Sequence, residues 1–356
     1  MPTEQREPRR LLFVRLSAVG DVINTLPALE VLRSSFPDAH IGYVIEDRAY
    51  SAIEGHPSID RVHLYPRKRW VAMFNRPQYW LLLFREIRAF FRELRGQGYE
   101  IALNYQSNLK GALFALLSGA PLRAGFAKGN SKESSYLFNH IKVSPEGGEL
   151  INRVDKFISL SEAIGARRDG AAYRLPDTPE CRQRVEQWRS DSGPSRYVVI
   201  HPGTSDYGAQ KRWMPERFAE LAKRIGSELG LKPVITWGPG EKELAEGIVQ
   251  DSDNQAIIAM KTEHLLDLAE IIRGAVLYVG CDSGPLHLSS ATGTPSVALF
   301  GPKDPRTYAP WNPRSRVVQK GENRGEMADI TVDDVMESVK SLLAEIEQAA
   351  DLNSVH

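Results

Sequence analysis

Short apolar runs rich in β-branched and aromatic residues alternate with helical patterns along most of the chain, and this alternation limits the fold more than anything else. Strands are expected at 11–15, 41–45, 61–65 and 100–104, then at 197–201, 233–237, 256–259, 276–280 and 296–300. Helices are expected over 22–35, 78–96, 108–118 and 150–164 in the first half. In the second half they fall near 215–229, 240–250, 264–273, 285–292 and 331–349. Strands separated by helices pair in parallel through right-handed crossovers, which makes the chain α/β. At 356 residues it is long for one domain, so two are expected. The polar run 167–196, with Pro176, Pro179 and Pro194, reads as a linker or boundary. The expected fold is two doubly wound, Rossmann-like domains with parallel sheets facing across a cleft, with ligands at the carboxyl ends of the strands.

Composition excludes more than it identifies. The 45 basic and 45 acidic side chains cancel, so bulk charge gives no case for a nucleic-acid partner. Cys181 and Cys281 lie far apart, without the spacing of a zinc site or a redox pair, which suits a reduced cytoplasmic setting. No apolar run approaches the roughly 18 residues that span a bilayer. The N-terminal MPTEQREPRRLLFVRL has a basic flank but too short an apolar run for a signal peptide. A soluble protein is expected, able to touch a membrane surface. The segment 67–95 departs from the average, with many arginines, few acids and seven aromatics. It reads either as an amphipathic helix packing Trp80, Phe84 and Phe91 on its own domain, or as a basic, aromatic-edged surface for an anionic, membrane-anchored partner. The two readings are compatible.

Three strand-to-helix loops carry candidate chemistry. In VLYVGCDSGPLHLSSATGTPSVALFG a strand ends at Asp282-Ser283-Gly284, and Pro285 opens a helix. Ser283 can cap that helix, Gly284 lets an anion approach the backbone, and His287 lies in the first turn, a pattern that suits a diphosphate. In HPGTSDYGAQKRWMPERFAEL, Thr204 and Ser205 offer hydroxyls and Lys211 a point charge to phosphate oxygens. In RLSAVGDVINTLPAL the acid Asp21 stands where a phosphate loop would need none; it caps the helix, or the loop serves something other than phosphate.

Other patterns are weaker. VITWGPGEKELAE has Gly238 and Gly240, but Glu243 replaces the third glycine of a dinucleotide fingerprint. Glu241 there can reach ribose hydroxyls or complement the helix dipole. Asp251-Ser252-Asp253 reads as a solvated turn, and no metal is expected. The loop 127–135 lacks P-loop order and reads as a basic loop, with Lys128 and Lys132 able to meet an anionic acceptor.

Taken together, RLSAVGDVINTLPAL, HPG…KRWMPERFAELA, GPGEKELA and CDSGPLHLSSATGTPSVALFGPKDP resemble the heptosyltransferases of lipopolysaccharide core assembly, glycosyltransferase family 9. The resemblance covers most of the chain in order. It implies a GT-B fold, with an acceptor domain over 1–175, a nucleotide-sugar domain over 176–330 and a C-terminal helix over 331–356 returning to the first domain. It implies inverting transfer of heptose from ADP-heptose to the inner core of lipopolysaccharide, on a lipid-A/Kdo-type acceptor, without metal or cofactor. A peripheral place on the inner face of the inner membrane goes with it. The alternative is a GT-B transferase or epimerase using a UDP- or GDP-linked sugar. By the resemblance, Asp21 falls on the catalytic aspartate and would serve as the base, with Gly20 leaving room for an acceptor sugar; Thr204, Ser205 and Lys211 fall on the phosphate-contacting loop, and Glu241 on the ribose-contacting glutamate. Asp282, Ser283, Gly284 and His287 fall on the diphosphate motif.

Overall fold

Residues 11–14 of the first strand are all fully buried, as befits a parallel strand covered on both faces. The computed structural model describes residues 7–204, 206–321 and 325–354. They form two compact units, divided in the chain between Asp177 and Thr178.

The first unit runs β1 (Arg10–Val14), α1 (Val19–Ser35), β2 (His40–Glu46), β3 (Arg61–Tyr65), α2 (Arg67–Phe74) and α3 (Trp80–Gly96). It continues with β4 (Ile101–Asn104), α4 (Leu109–Leu117), β5 (Leu122–Phe126), β6 (Ile141–Val143) and α5 (Arg153–Glu162). The second unit begins with α6 (Pro179–Asp191), β7 (Tyr197–His201), α7 (Pro215–Leu229), β8 (Lys232–Ile235) and α8 (Lys242–Asp251). Then come β9 (Ile257–Ile258), α9 (Leu265–Arg273), β10 (Leu277–Cys281), α10 (Gly284–Ala291), β11 (Ser296–Phe300), α11 (Pro305–Tyr308), β12 (Ser315–Gln319) and α12 (Val332–Ser354).

Each unit has one six-stranded parallel sheet among its described residues, ordered β3-β2-β1-β4-β5-β6 in the first and β12-β11-β10-β7-β8-β9 in the second. Counted within its own unit, each sheet has the order 3-2-1-4-5-6. The direction of winding reverses between the first and fourth strands, and ligands of such sheets bind at the carboxyl ends beside that reversal. Those strands are β1 and β4 in the first unit, with Leu11 opposite Ile101, and β7 and β10 in the second, with Val198 opposite Leu277.

The expected strands are present within a residue or two at most ends. β5, β6 and β12 were not expected: β6 has three residues, none of them fully buried, and β12 carries Arg316 and a half-buried pattern. Helix α6 lies inside the run read as a linker. Pro179 sits in its first turn, and Cys181 and Val185 are its buried residues, too few to set a helical period. Helix α12, expected to return to the first domain, buries Val335, Met336, Val339 and Leu342 in the core of the second unit.

In the basic segment, Phe91 packs beside the buried Leu94, Tyr99 and Phe114. Trp80 and Phe84 do not pack: they are 55% and 62% exposed, alongside Phe74 and Leu81. The helix expected over 78–96 is α3, and a further helix, α2, precedes it; the two meet around the buried Trp70, Met73 and Leu83.

Candidate active site

In the first unit, β1 delivers Arg15 and then the loop that opens α1. Ala18 holds the N-cap position and Asp21 lies in the first helical turn, where the helix dipole favours a carboxylate. Asp21 thus lies inside the helix and not at its N-cap position, and two arginines pair with it. Arg15 Nη2 is 2.5 Å from Asp21 Oδ2, and Arg153, the first residue of α5, pairs with Oδ1. Arg15 is 4% exposed, donates to the Tyr105 carbonyl at 2.8 Å and lies over the Phe157 ring. Burial pushes its guanidinium below the ordinary value, and Asp21 opposes that shift. Arg153 is placed by the cap before it, since Asn152 Oδ1 accepts from the Val154 N–H at 3.0 Å.

Gln106, beyond β4, fastens this loop across the reversal: its Oε1 accepts from the N–H groups of Leu16 (2.9 Å) and Ser17 (3.3 Å). Gly20 is the second residue of α1, half-buried. Lys128 and Lys132 are exposed after β5, and the Lys132 N–H donates to the Ser107 carbonyl at 2.8 Å. Their loop is thereby tied to the one that follows β4.

In the second unit, an ion pair fastens the two loops at the same place. Lys211 Nζ is 2.6 Å from Asp282 Oδ2, and His287 Nε2 is 3.8 Å from Asp282 Oδ1. Asp282 is 5% exposed while the Lys211 side chain keeps 21%. Ser283 takes the N-cap position of α10, yet among the described residues its hydroxyl makes no capping bond. It lies buried beside the Tyr278 phenol. The first-turn N–H groups of α10, Pro285 excepted, remain for an anion approaching at Gly284.

Glu241 precedes α8, and its Oε2 accepts from the Gly238 N–H at 2.8 Å. The turn that mimics a dinucleotide loop is thus closed by its own carboxylate. That carboxylate also sits against Gly203, where a Cβ would collide with it. Thr204 is turned into its loop, with its hydroxyl donating to the Gly208 carbonyl and accepting from Arg212 Nε, both at 3.0 Å. Thr204 builds the loop that presents Lys211, and Ser205 lies outside the described residues. His201, ending β7, is buried against Thr236 Oγ1 at 3.0 Å, and burial pushes its pKa down to about 4. The Cys281 thiol is pushed up to about 12 by burial, which makes it inert. Asp253 adopts a left-handed turn and pairs with Lys223, as a solvated turn should.

Arg15, Arg153, Gln106, Arg212 and His201 were not expected. Arg15 could have been noticed, because a charge closing the apolar run LLFV signals a strand's functional end. Arg153 and Gln106 had no local signal: each is more than 85 positions from its partner.

The sequence matches the family model described as glycosyltransferase family 9 (heptosyltransferase) over residues 87–340. It is 23% identical to the lipopolysaccharide core heptosyltransferase OpsX of Haemophilus influenzae, over 92% of this chain and 88% of that one. It is 27% identical to lipopolysaccharide heptosyltransferase 1 of Pseudomonas aeruginosa, over 83% and 79%. Among solved structures, a family 9 glycosyl transferase from Veillonella parvula superposes with a TM-score of 0.78 at 25% identity, covering 95% of this chain and 97% of the other. The Escherichia coli heptosyltransferase WaaC with ADP gives 0.75 at 22% identity, over 94% and 99%, a likeness of fold.

Proposed function

The chain belongs to glycosyltransferase family 9, the heptosyltransferases, and from that premise we propose that it transfers heptose from ADP-heptose to an inner-core sugar of lipopolysaccharide, with inversion and without a metal. The supporting observation is the Lys211–Asp282 pair at the start of α10. It holds a cation beside a helix N-terminus, a combination suited to a departing diphosphate.

In this reading the second unit binds the donor: Lys211 and the N–H groups of α10 take the diphosphate, and Glu241 takes ribose hydroxyls. The first unit binds the acceptor, and Asp21 is the base. Asp21 keeps 27% of its side chain exposed, so an acceptor hydroxyl can reach the carboxylate and give up its proton to it. The acceptor oxygen bonds to the anomeric carbon from the face opposite ADP. The bond to the phosphate oxygen breaks, and its electron pair leaves with ADP. The two arginines hold the carboxylate in one orientation, which reduces the cost of aligning base and hydroxyl.

Incubating the purified chain with ADP-heptose and a heptose-free core acceptor should release ADP and lengthen the acceptor by one heptose. Turnover with UDP- or GDP-linked sugars, but none with ADP-heptose, would favour the alternative donor class. Titration with ADP, UDP and GDP should raise the melting temperature most with ADP.

A second observation favours peripheral contact with an anionic bilayer. Phe74, Trp80, Leu81 and Phe84 stand exposed among the arginines of α2 and α3, a pairing suited to the headgroup boundary. No helix among the described residues is long and apolar enough to cross a membrane. The chain should float with anionic vesicles and not with neutral ones; equal flotation with both would end this part of the reading.

A further inference from the structure

Past Val14 the chain leaves the sheet through Leu16 and Ser17, both buried. A buried N–H left without an acceptor is costly. Here one side-chain atom serves two of them: Gln106 Oε1 accepts from Leu16 N–H at 2.9 Å and from Ser17 N–H at 3.3 Å. On the other side, the Leu16 carbonyl accepts from the Glu46 N–H at 3.0 Å. Leu16 is thus tied to the ends of both neighbours of β1.

Gln106 is itself held by a built turn. Its own N–H continues the ladder, donating to the Val14 carbonyl at 3.1 Å. The next residue, Ser107, has φ +58°, a region that residues other than glycine keep only where their surroundings hold them. Asn104 Oδ1 accepts from the Ser107 N–H at 3.3 Å, and the Ser107 carbonyl accepts from the Lys132 N–H at 2.8 Å. Gly111 leaves the room this needs, since a Cβ there would collide with Asn104 Oδ1 and Gln106 Cβ. Tyr105, just before, gives its carbonyl to Arg15 Nη1 at 2.8 Å. One short turn therefore holds both the loop after β1 and the arginine paired with Asp21.

The arginines meet the Asp21 carboxylate, whereas Gln106 meets the backbone that leads to it. The path between them is short: Ala18 is the N-cap of α1, and its carbonyl accepts from the Val22 N–H at 2.9 Å. Asp21 lies within that first turn and follows the loop. A displacement of about 1 Å at a reacting group can cost on the order of a hundredfold in rate.

We propose that Gln106 is a positioning residue for transfer: by holding the N–H groups of Leu16 and Ser17, its amide oxygen sets where Asp21 stands. The proposal rests on the reading of Asp21 as the base.

Hydrogen exchange on the full chain, read by mass spectrometry over peptides from Leu12 to Gly20, tests the clamp without any transfer reaction. Gln106→Leu keeps the bulk and removes the acceptor, so exchange at Leu16 and Ser17 should rise roughly tenfold. Gln106→Glu, whose carboxylate can accept the same two bonds, should hold exchange near the wild-type rate. Gln106→Ala, read in the same way, guards against a poor fit of the leucine.

In transfer assays Gln106→Leu should lower kcat roughly ten- to a hundredfold and leave both KM values near wild type, and Gln106→Glu should recover most of the rate. In an Asp21→Asn background the same change should cost no further rate, because a residue acting through Asp21 has nothing left to position. Unchanged exchange in Gln106→Leu, a parallel rise of both KM values, or a loss that multiplies with that of Asp21→Asn overturns the proposal. A slow Asp21→Asn beside Gln106→Leu at wild-type kcat overturns the proposal alone and keeps the base. Near-normal turnover in Asp21→Asn overturns both.

Discussion

The two units share one strand order, yet they treat the reversal between first and fourth strands differently. In the first, the loop after β1 carries Asp21 between Arg15 and Arg153, and a neutral amide, Gln106, bridges the two loops. In the second, the loop after β10 carries Asp282, and Lys211 bridges the loops as an ion pair. Asp21 keeps 27% of its side chain exposed, whereas Asp282 keeps 5%. Each sheet thus carries an acid at its carboxyl edge, paired with two arginines and accessible in the first unit, paired with a lysine and buried in the second; the proposed function gives the two acids different roles. The first strands differ in the same manner: β1 leads into a charged Arg15 paired with Asp21, while β7 ends in a neutral His201 hydrogen-bonded to Thr236.

The contrast is sharpest at the acids. Asp21→Asn should lower transfer by roughly a hundred- to ten-thousand-fold, the range of general-base catalysis, and leave ADP affinity unchanged by calorimetry. Loss of ADP binding in that variant, or near-normal turnover, would break the division of roles.

His201 predicts a pH dependence confined to the second unit. Its folded pKa of about 4 lies below the ordinary 6.5. Between those values the unfolded chain takes up a proton that the folded chain refuses. Its contribution is therefore complete above pH 6.5 and falls as pH drops toward 4, by about 3 kcal/mol in all. Urea unfolding of the chain and of His201→Gln at pH 7.5 and 4.5 measures it. The wild type should lose more stability than the variant, and equal losses would remove His201 from the comparison.

A smaller effect is expected at Lys211. Lys211→Ala should weaken ADP binding roughly tenfold, through a lost charge-assisted contact, whereas Arg153→Gln should leave ADP binding alone and slow transfer. Equal ADP affinities in the two variants would erase the distinction between the units.

The smallest belongs to Thr204. Thr204→Val should cost about 1 kcal/mol of stability through hydrogen bonds internal to its loop, with a modest change in donor KM. A loss of donor binding as large as that of Lys211→Ala would show that Thr204 meets the phosphates after all.

Much of this was legible from local pattern. Strand and helix periodicity located most elements, because burial on two faces of a parallel strand writes a continuous apolar run. Asp21, Lys211, Asp282 and His287 stand out in the sequence because each lies beside a strand-to-helix junction, and the structure pairs Lys211 and His287 with Asp282. Helix α6 and strands β5, β6 and β12 were missed, because two buried side chains, or a short edge strand, set no recognisable period. Trp80 and Phe84 stayed open to two readings, packed or exposed, because helical spacing says which residues share a face, not whether anything covers it; the structure leaves both exposed.

By itself, then, the sequence determined the α/β class, the two units, the family and the junctions where chemistry gathers, since these follow from local order along the chain. Tertiary structure alone decided which acid is buried and which exposed, and which cations meet it. Arg153 reaches Asp21 across 132 positions, and Lys211 reaches Asp282 across 71. Periodicity cannot carry such pairings, because they are set by the parallel register that brings the ends of distant strands to one edge.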